Sequence, residues 1–135
     1  MGITFSRSKW LAYTFFVGLT PIFTRLLTWA ITNQGAVVMV SASDFVAFGL
    51  VLHISIINEL EHVPVSERDW KTIQNGTSLV FIVLYGGLCV ISVIGEKAKD
   101  IVNISGLLIC SIVLCLVSTA LSFSVFHRLS RLNPA

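Results

Sequence analysis

Charge is what this chain has least of: nine Lys and Arg and seven Asp and Glu make up 12% of its 135 residues, against about a quarter in an average soluble domain. The net charge of +2 comes from basic residues scattered along the chain, so it lacks the clustered basic face that nucleic-acid binding requires, and no nucleic-acid partner is expected. Cysteine is sparse too. Cys89, Cys110 and Cys115 stand inside apolar runs, with no CxxC spacing and no histidine at ligand spacing, and read as small buried hydrophobes; neither metal nor other cofactor is implied. The catalytic signatures are missing: no G-x-S-x-G, no Walker loop, no HExxH, no paired intramembrane carboxylates and no His/Asp/Ser set assignable to one site. An enzyme is therefore not expected.

What the chain has in abundance is apolar side chain, 55% of all residues, with a mean hydropathy of +0.87. A soluble fold of this length cannot hide so much. Four apolar runs, at about residues 10–32, 43–60, 70–94 and 101–126, each approach the roughly 20 residues that cross a bilayer. In lipid every backbone polar group must be bonded within its own segment, and the chain shows no alternating strands of a barrel. The expected fold is an all-α integral membrane protein, a single domain spanning residues 1–135 as a four-helix transmembrane bundle.

The amino terminus, with basic residues before an apolar run, resembles a signal peptide in outline. Trp10–Thr32 is too long for that and lacks a small-residue cleavage site, so it reads as a retained first helix. Met1–Ser6 formally matches a myristoylation pattern, from which a polytopic protein gains little. Within the first span Pro21 removes one backbone bond, Gly18 and Thr20 allow close approach of a neighbour, and Arg25 either snorkels outward or pairs with an acid, of which Asp44 is nearest.

The second span is the unusual one. Ser41–His62 is apolar yet carries Asp44, His53, Asn58 and Glu59, although an unpaired charge near the membrane centre costs about 2.5 kcal/mol or more. Ser41 and Asp44 have capping-box spacing, which would start the helix there; His53 is the deepest titratable group, either a hydrogen-bonded packing element or a proton-sensitive one. Glu59, Glu61, Glu67, Arg68, Asp69 and Lys71 then form the largest polar segment, either a solvated turn or a contact surface for a partner, with Ser66 and Asp69 spaced to cap the third helix. In the third span Gly86 and Gly87 favour close helix contacts. In the fourth, Ser105, Gly106, Ser111, Ser118 and Ser122 recur at helical spacing as a packing seam or the lining of a narrow water path. The sequons at Asn75 and Asn103 lie at or in spans and are set aside.

Six Lys and Arg (Arg7, Lys9, Arg68, Lys71, Arg128, Arg131) fall on the side of the termini and three (Arg25, Lys97, Lys99) on the other, which puts both termini in the cytoplasm and the protein in a cell's inner (plasma) membrane as a multi-pass protein in contact with lipid. Function then follows one of three lines. The first is a non-enzymatic homo-oligomeric pore, sensor or membrane anchor for a separately encoded cytosolic partner, with bacterial stress or anti-phage defence as a setting. The second is a small proton-coupled transporter using Asp44 or His53, and the third an immunity or exclusion protein that blocks a toxin or invading DNA within the membrane.

Overall fold

The computed structural model describes residues 7–132, and Met1–Ser6 with its myristoylation-like pattern lies outside them. Among the described residues the chain forms α1 (Arg7–Ile31), α2 (Ala42–Leu60), a 3₁₀ turn at Val65–Glu67, α3 (Arg68–Lys97) and α4 (Ile104–Leu132), with no strand. All four helices are long and apolar enough to cross a membrane. The architecture is thus an all-α four-helix bundle of the kind a multi-pass membrane protein requires.

α2 is the shortest helix and the most enclosed. It packs against each of the other three, whereas α1 and α3 do not meet. The reason lies in its sequence: the helix carrying both Asp44 and His53 within its span is the one that lipid could least well surround, so it takes the centre and the other three take the outside. Ala42, Val46, Gly49, His53, Ile56 and Leu60 are buried at alternating intervals of four and three, forming one stripe; Asp44, Phe48 and Leu52 form a second. The first stripe meets α3 and α4, and the second meets α1 and, at Cys115, α4. Outward faces are correspondingly apolar, with Tyr13 and Phe16 on α1, Val83 and Val90 on α3, and Ile109 and Leu116 on α4 all exposed.

Contacts of α1 with α2 follow an antiparallel register. Thr14 Oγ1 lies 2.9 Å from Ser55 Oγ, Gly18 lets the Phe48 ring approach so closely that an added Cβ would stand 2.8 Å from it, and Arg25 reaches Asp44. α1 continues unbroken through Pro21. On its lipid side Thr20, Thr24, Thr28 and Thr32 each donate to the carbonyl four residues earlier, which satisfies hydroxyls in a medium that offers no partner.

Several local expectations are corrected. Ser41 is the residue before α2, but its side chain makes no capping bond; its hydroxyl lies 3.0 Å from Ser43 Oγ, and Asp44 is drawn instead to Arg25. Ser66 does not cap α3 either, because the 3₁₀ turn carries the chain on to a start at Arg68. α4 begins at Ile104 rather than 101, capped by Asn103, whose Oδ1 accepts from the Gly106 N–H at 3.1 Å. It also runs past Phe126 to Leu132, because Leu129 is buried with Ile56, Leu60 and Val125. Gly86 and Gly87 meet nothing within 4 Å, and the close approach occurs at Gly49, against Tyr85. Residues 36–40 are irregular, following a left-handed Gly35 at φ +86°. Cys115 is buried as expected, but Cys89 and Cys110 face outward.

Candidate functional site

The centre of the bundle is polar. His53, near the middle of α2, Tyr85 on α3 and Ser118 on α4 are each 0% exposed. His53 Nε2 lies 2.9 Å from Ser118 Oγ, and the Tyr85 hydroxyl lies 2.7 Å from the same Oγ. Phe81, one turn from Tyr85, stacks on the imidazole at 4.7 Å between centroids with 21° between the planes. Tyr85 reaches Ser118 only because Gly49 has no side chain: a Cβ at that position would sit inside the phenol ring.

The direction of this hydroxyl chain follows from counting protons. Tyr85 has one O–H, and Ser118 has one donor and two acceptor lone pairs. If Tyr85 donates to Ser118 and Ser118 donates to Nε2, both hydroxyl protons are satisfied. The reverse order leaves the phenolic proton without an acceptor, so the first is favoured and the ring proton resides on Nδ1. In either order Nδ1 has no partner among the described residues, a costly condition for a buried polar atom.

The sequence offered no reason to join His53 to a serine, and the structure does. Oγ to Nε2 at 2.9 Å is also the spacing of a nucleophile and its base. Against that chemistry, Ser118 is wholly enclosed, its hydroxyl is shared with Tyr85, no carboxylate meets Nδ1, and neither of the two described cavities is lined by any of the three residues. The arrangement suits holding and moving a proton more than attacking a carbonyl. Tyr85 was not singled out by sequence reasoning; the available signal was its depth, since a membrane tyrosine ordinarily lies at the interface.

Arg25 and Asp44 form an ion pair within one chain, Arg25 Nε donating to Asp44 Oδ2, with side chains 28% and 11% exposed. The pair lies towards the end of the bundle opposite the Glu59–Lys71 segment, beside a cavity of about 440 Å³ lined by Arg25, Ser41, Ser92, Glu96 and Lys99 among others. It is remote from His53, nine residues along α2. Between them Phe48, Leu52 and Cys115 form an apolar cluster.

At the other end, the polar segment is less uniform than its sequence. Glu67 Oε2 accepts from Arg128 Nη2 at 2.8 Å, and the Arg128 guanidinium stands 4.6 Å above the Trp70 ring. Lys71 Nζ donates to the Glu61 carbonyl at 3.4 Å. Glu61, Arg68 and Asp69 are exposed and Glu59 half-buried, none of them in an ion pair among the described residues. A cavity of about 350 Å³ opens here, lined by Val63, Arg68, Lys71, Thr72 and Asn75 among others. Among the described residues no three His, Cys, Asp or Glu side chains gather as a metal site. Compared with protein-family models, curated proteins and solved structures, the chain matches none.

Proposed function

We propose that this is a non-enzymatic, proton-responsive membrane protein, a sensor or small proton-coupled transporter, in which His53 is the titrating group. The observation that carries the reading is the His53–Ser118–Tyr85 chain, which ties three helices together through one hydroxyl at the centre of the bundle. Gaining a proton makes both ring nitrogens donors. Nε2 then donates to Ser118 Oγ, and either the Ser118 or the Tyr85 O–H is left without an acceptor. One proton thus changes what α3 and α4 receive from α2. The groups facing His53 are the hydroxyls of Tyr85 and Ser118 and the Phe81 ring, with the Cys115 thiol one turn along α4; α1 brings no charged side chain to this level.

Nitrogen-15 NMR of histidine-labelled protein in lipid tests this. The His53 ring signals should move reversibly as the pH is lowered. A His53 ring that stays neutral throughout would make it a packing element.

The Glu59–Lys71 segment supports a second reading, contact with a cytosolic partner, because Glu61, Arg68 and Asp69 are exposed and free of ion pairs beside a cavity. Glu67 belongs to the fold through Arg128 and is not part of that surface. Combined Glu61→Lys, Arg68→Glu and Asp69→Lys should release a co-purifying soluble partner while leaving insertion unchanged; retention of the partner would count against it. A homo-oligomeric pore and a toxin- or DNA-exclusion role draw on no particular residue geometry, since lipid covers the open Gly86–Gly87 face as readily as a second copy does.

A further inference from the structure

Hydroxyls in this chain usually bond to the carbonyl one turn back. Thr72, Thr77, Ser111, Thr119 and Ser130 do so as well as the α1 threonines. Ser78 and Ser122 do not. Each is 1% exposed, and neither Oγ has a partner among the described residues; Asn75 Oδ1 and His53 Nδ1 likewise lack one there. These four atoms are placed in order. With Phe81 stacked on His53, Ser78 lies about 5 Å and Asn75 about 9 Å further along α3 towards the Glu59–Lys71 end, at the rise of an α-helix. Ser122 lies about 6 Å from Ser118 in the same direction on α4. Asn75 also lines the cavity that opens at that end.

On the other side of His53 the pattern reverses. Ser111, the buried serine there, is satisfied by the Leu107 carbonyl at 2.8 Å, and Phe48, Leu52 and Cys115 close the interior with apolar contact. Ile56, Leu60, Val125 and Leu129, with Trp70 of α3 and Val63 packed against them, seal the α2–α4 seam on the loop side, and the unpartnered polar atoms of α3, at Asn75 and Ser78, stand further along that helix.

We propose that Asn75, Ser78 and Ser122 hold a short file of water molecules that joins the loop-end cavity to His53 and stops there, so that the imidazole communicates with one face of the membrane only. Each water in such a file needs two or more polar partners, and the four unsatisfied atoms, on residues at axial steps of about 5 to 6 Å, offer polar groups along the way. The path ends at Nδ1, the ring atom that the hydroxyl chain leaves open. This inference rests on the proton-responsive reading for its use, and its test separates the two.

Single cysteines at Ser78 and Ser122, in a background of Cys89→Ala, Cys110→Ala and Cys115→Ala, are exposed to silver ion from each face of oriented proteoliposomes; Ser66→Cys, Ala98→Cys and Ser111→Cys serve as the loop-end, opposite-end and closed-half controls. Because thiols react where water reaches them, Ser78→Cys and Ser122→Cys should be blocked from the Ser66 face about tenfold or more faster than Ser111→Cys. Rates equal to that of Ser111→Cys, with Ser66→Cys reactive, overturn the file. Water-to-protein magnetisation transfer in the unsubstituted protein gives the same comparison without cysteine changes: rapid build-up at Ser78 and Ser122 supports the file, and build-up as slow as at Ser111 overturns it. Dry serines beside a titrating His53 refute the file alone, whereas hydrated serines beside a His53 that never titrates refute the proton-responsive reading alone.

Discussion

At the residue scale, what matters is whether each polar group in this apolar chain has a partner. Arg25 and Asp44 have one another, Glu67 has Arg128, and the α1 threonines have their own backbone. Removing one member of a pair leaves the other's charge uncompensated in a poorly solvated place. Asp44→Asn should therefore lower stability in detergent by about 2 kcal/mol, the range of a charged hydrogen bond, while Glu61→Gln, at an exposed acid without an ion pair, should stay within about 0.5 kcal/mol. Glu61 is the proper control because Glu67 is itself paired. Comparable losses for the two substitutions, read from denaturant unfolding followed by circular dichroism, would show that the Arg25 contact contributes little.

Among the elements, α2 and α3 meet through a glycine and a tyrosine. A Cβ at Gly49 collides with the Tyr85 ring, whereas Gly86 and Gly87 face open space. Gly49→Ala must push Tyr85 off Ser118 or part the helices, and should cost about 1 to 3 kcal/mol, as overpacking does. Gly87→Ala should be neutral or stabilising by up to about 1 kcal/mol, because alanine is the better helix former. Thermal unfolding of the two variants side by side checks this, and a harmless Gly49→Ala would mean that the α2–α3 contact is looser than the geometry here. Tyr85→Phe in the Gly49→Ala background should then add little, since the hydroxyl has already left Ser118.

For the whole molecule, the antiparallel passes of α1, α2, α3 and α4 place the Glu59–Lys71 segment and the carboxyl-terminal end of α4 together, as the Glu67–Arg128 pair records. The excess of Lys and Arg at that end is the ground for expecting it on the cytoplasmic side. In intact cells an impermeant maleimide should label Ala98→Cys and spare Ser66→Cys until the membrane is opened. The opposite result would invert the assignment and with it the face from which water reaches His53.

Length and apolarity settle much of this protein before folding is considered. Four runs near bilayer length in a chain with so little charge leave helices as the main solution, because lipid offers no partner to an open backbone. The second run could likewise be recognised as the one that needs enclosure, since Asp44 and His53 stand in its sequence. Contacts across helices were legible only as the alternative that Arg25 pairs with Asp44. Nothing in the spacing of Arg25 and Asp44 decides that the irregular residues 36–40 fold back far enough for them to meet, and nothing in the serine spacing of α4 separates Ser111, bonded to its own backbone, from Ser122, which is not. Helical periodicity says which residues share a face; which face of which helix it meets is fixed by packing. Here that packing turns on Gly49, whose missing side chain admits Tyr85 and so lets its hydroxyl reach Ser118, the residue His53 also meets.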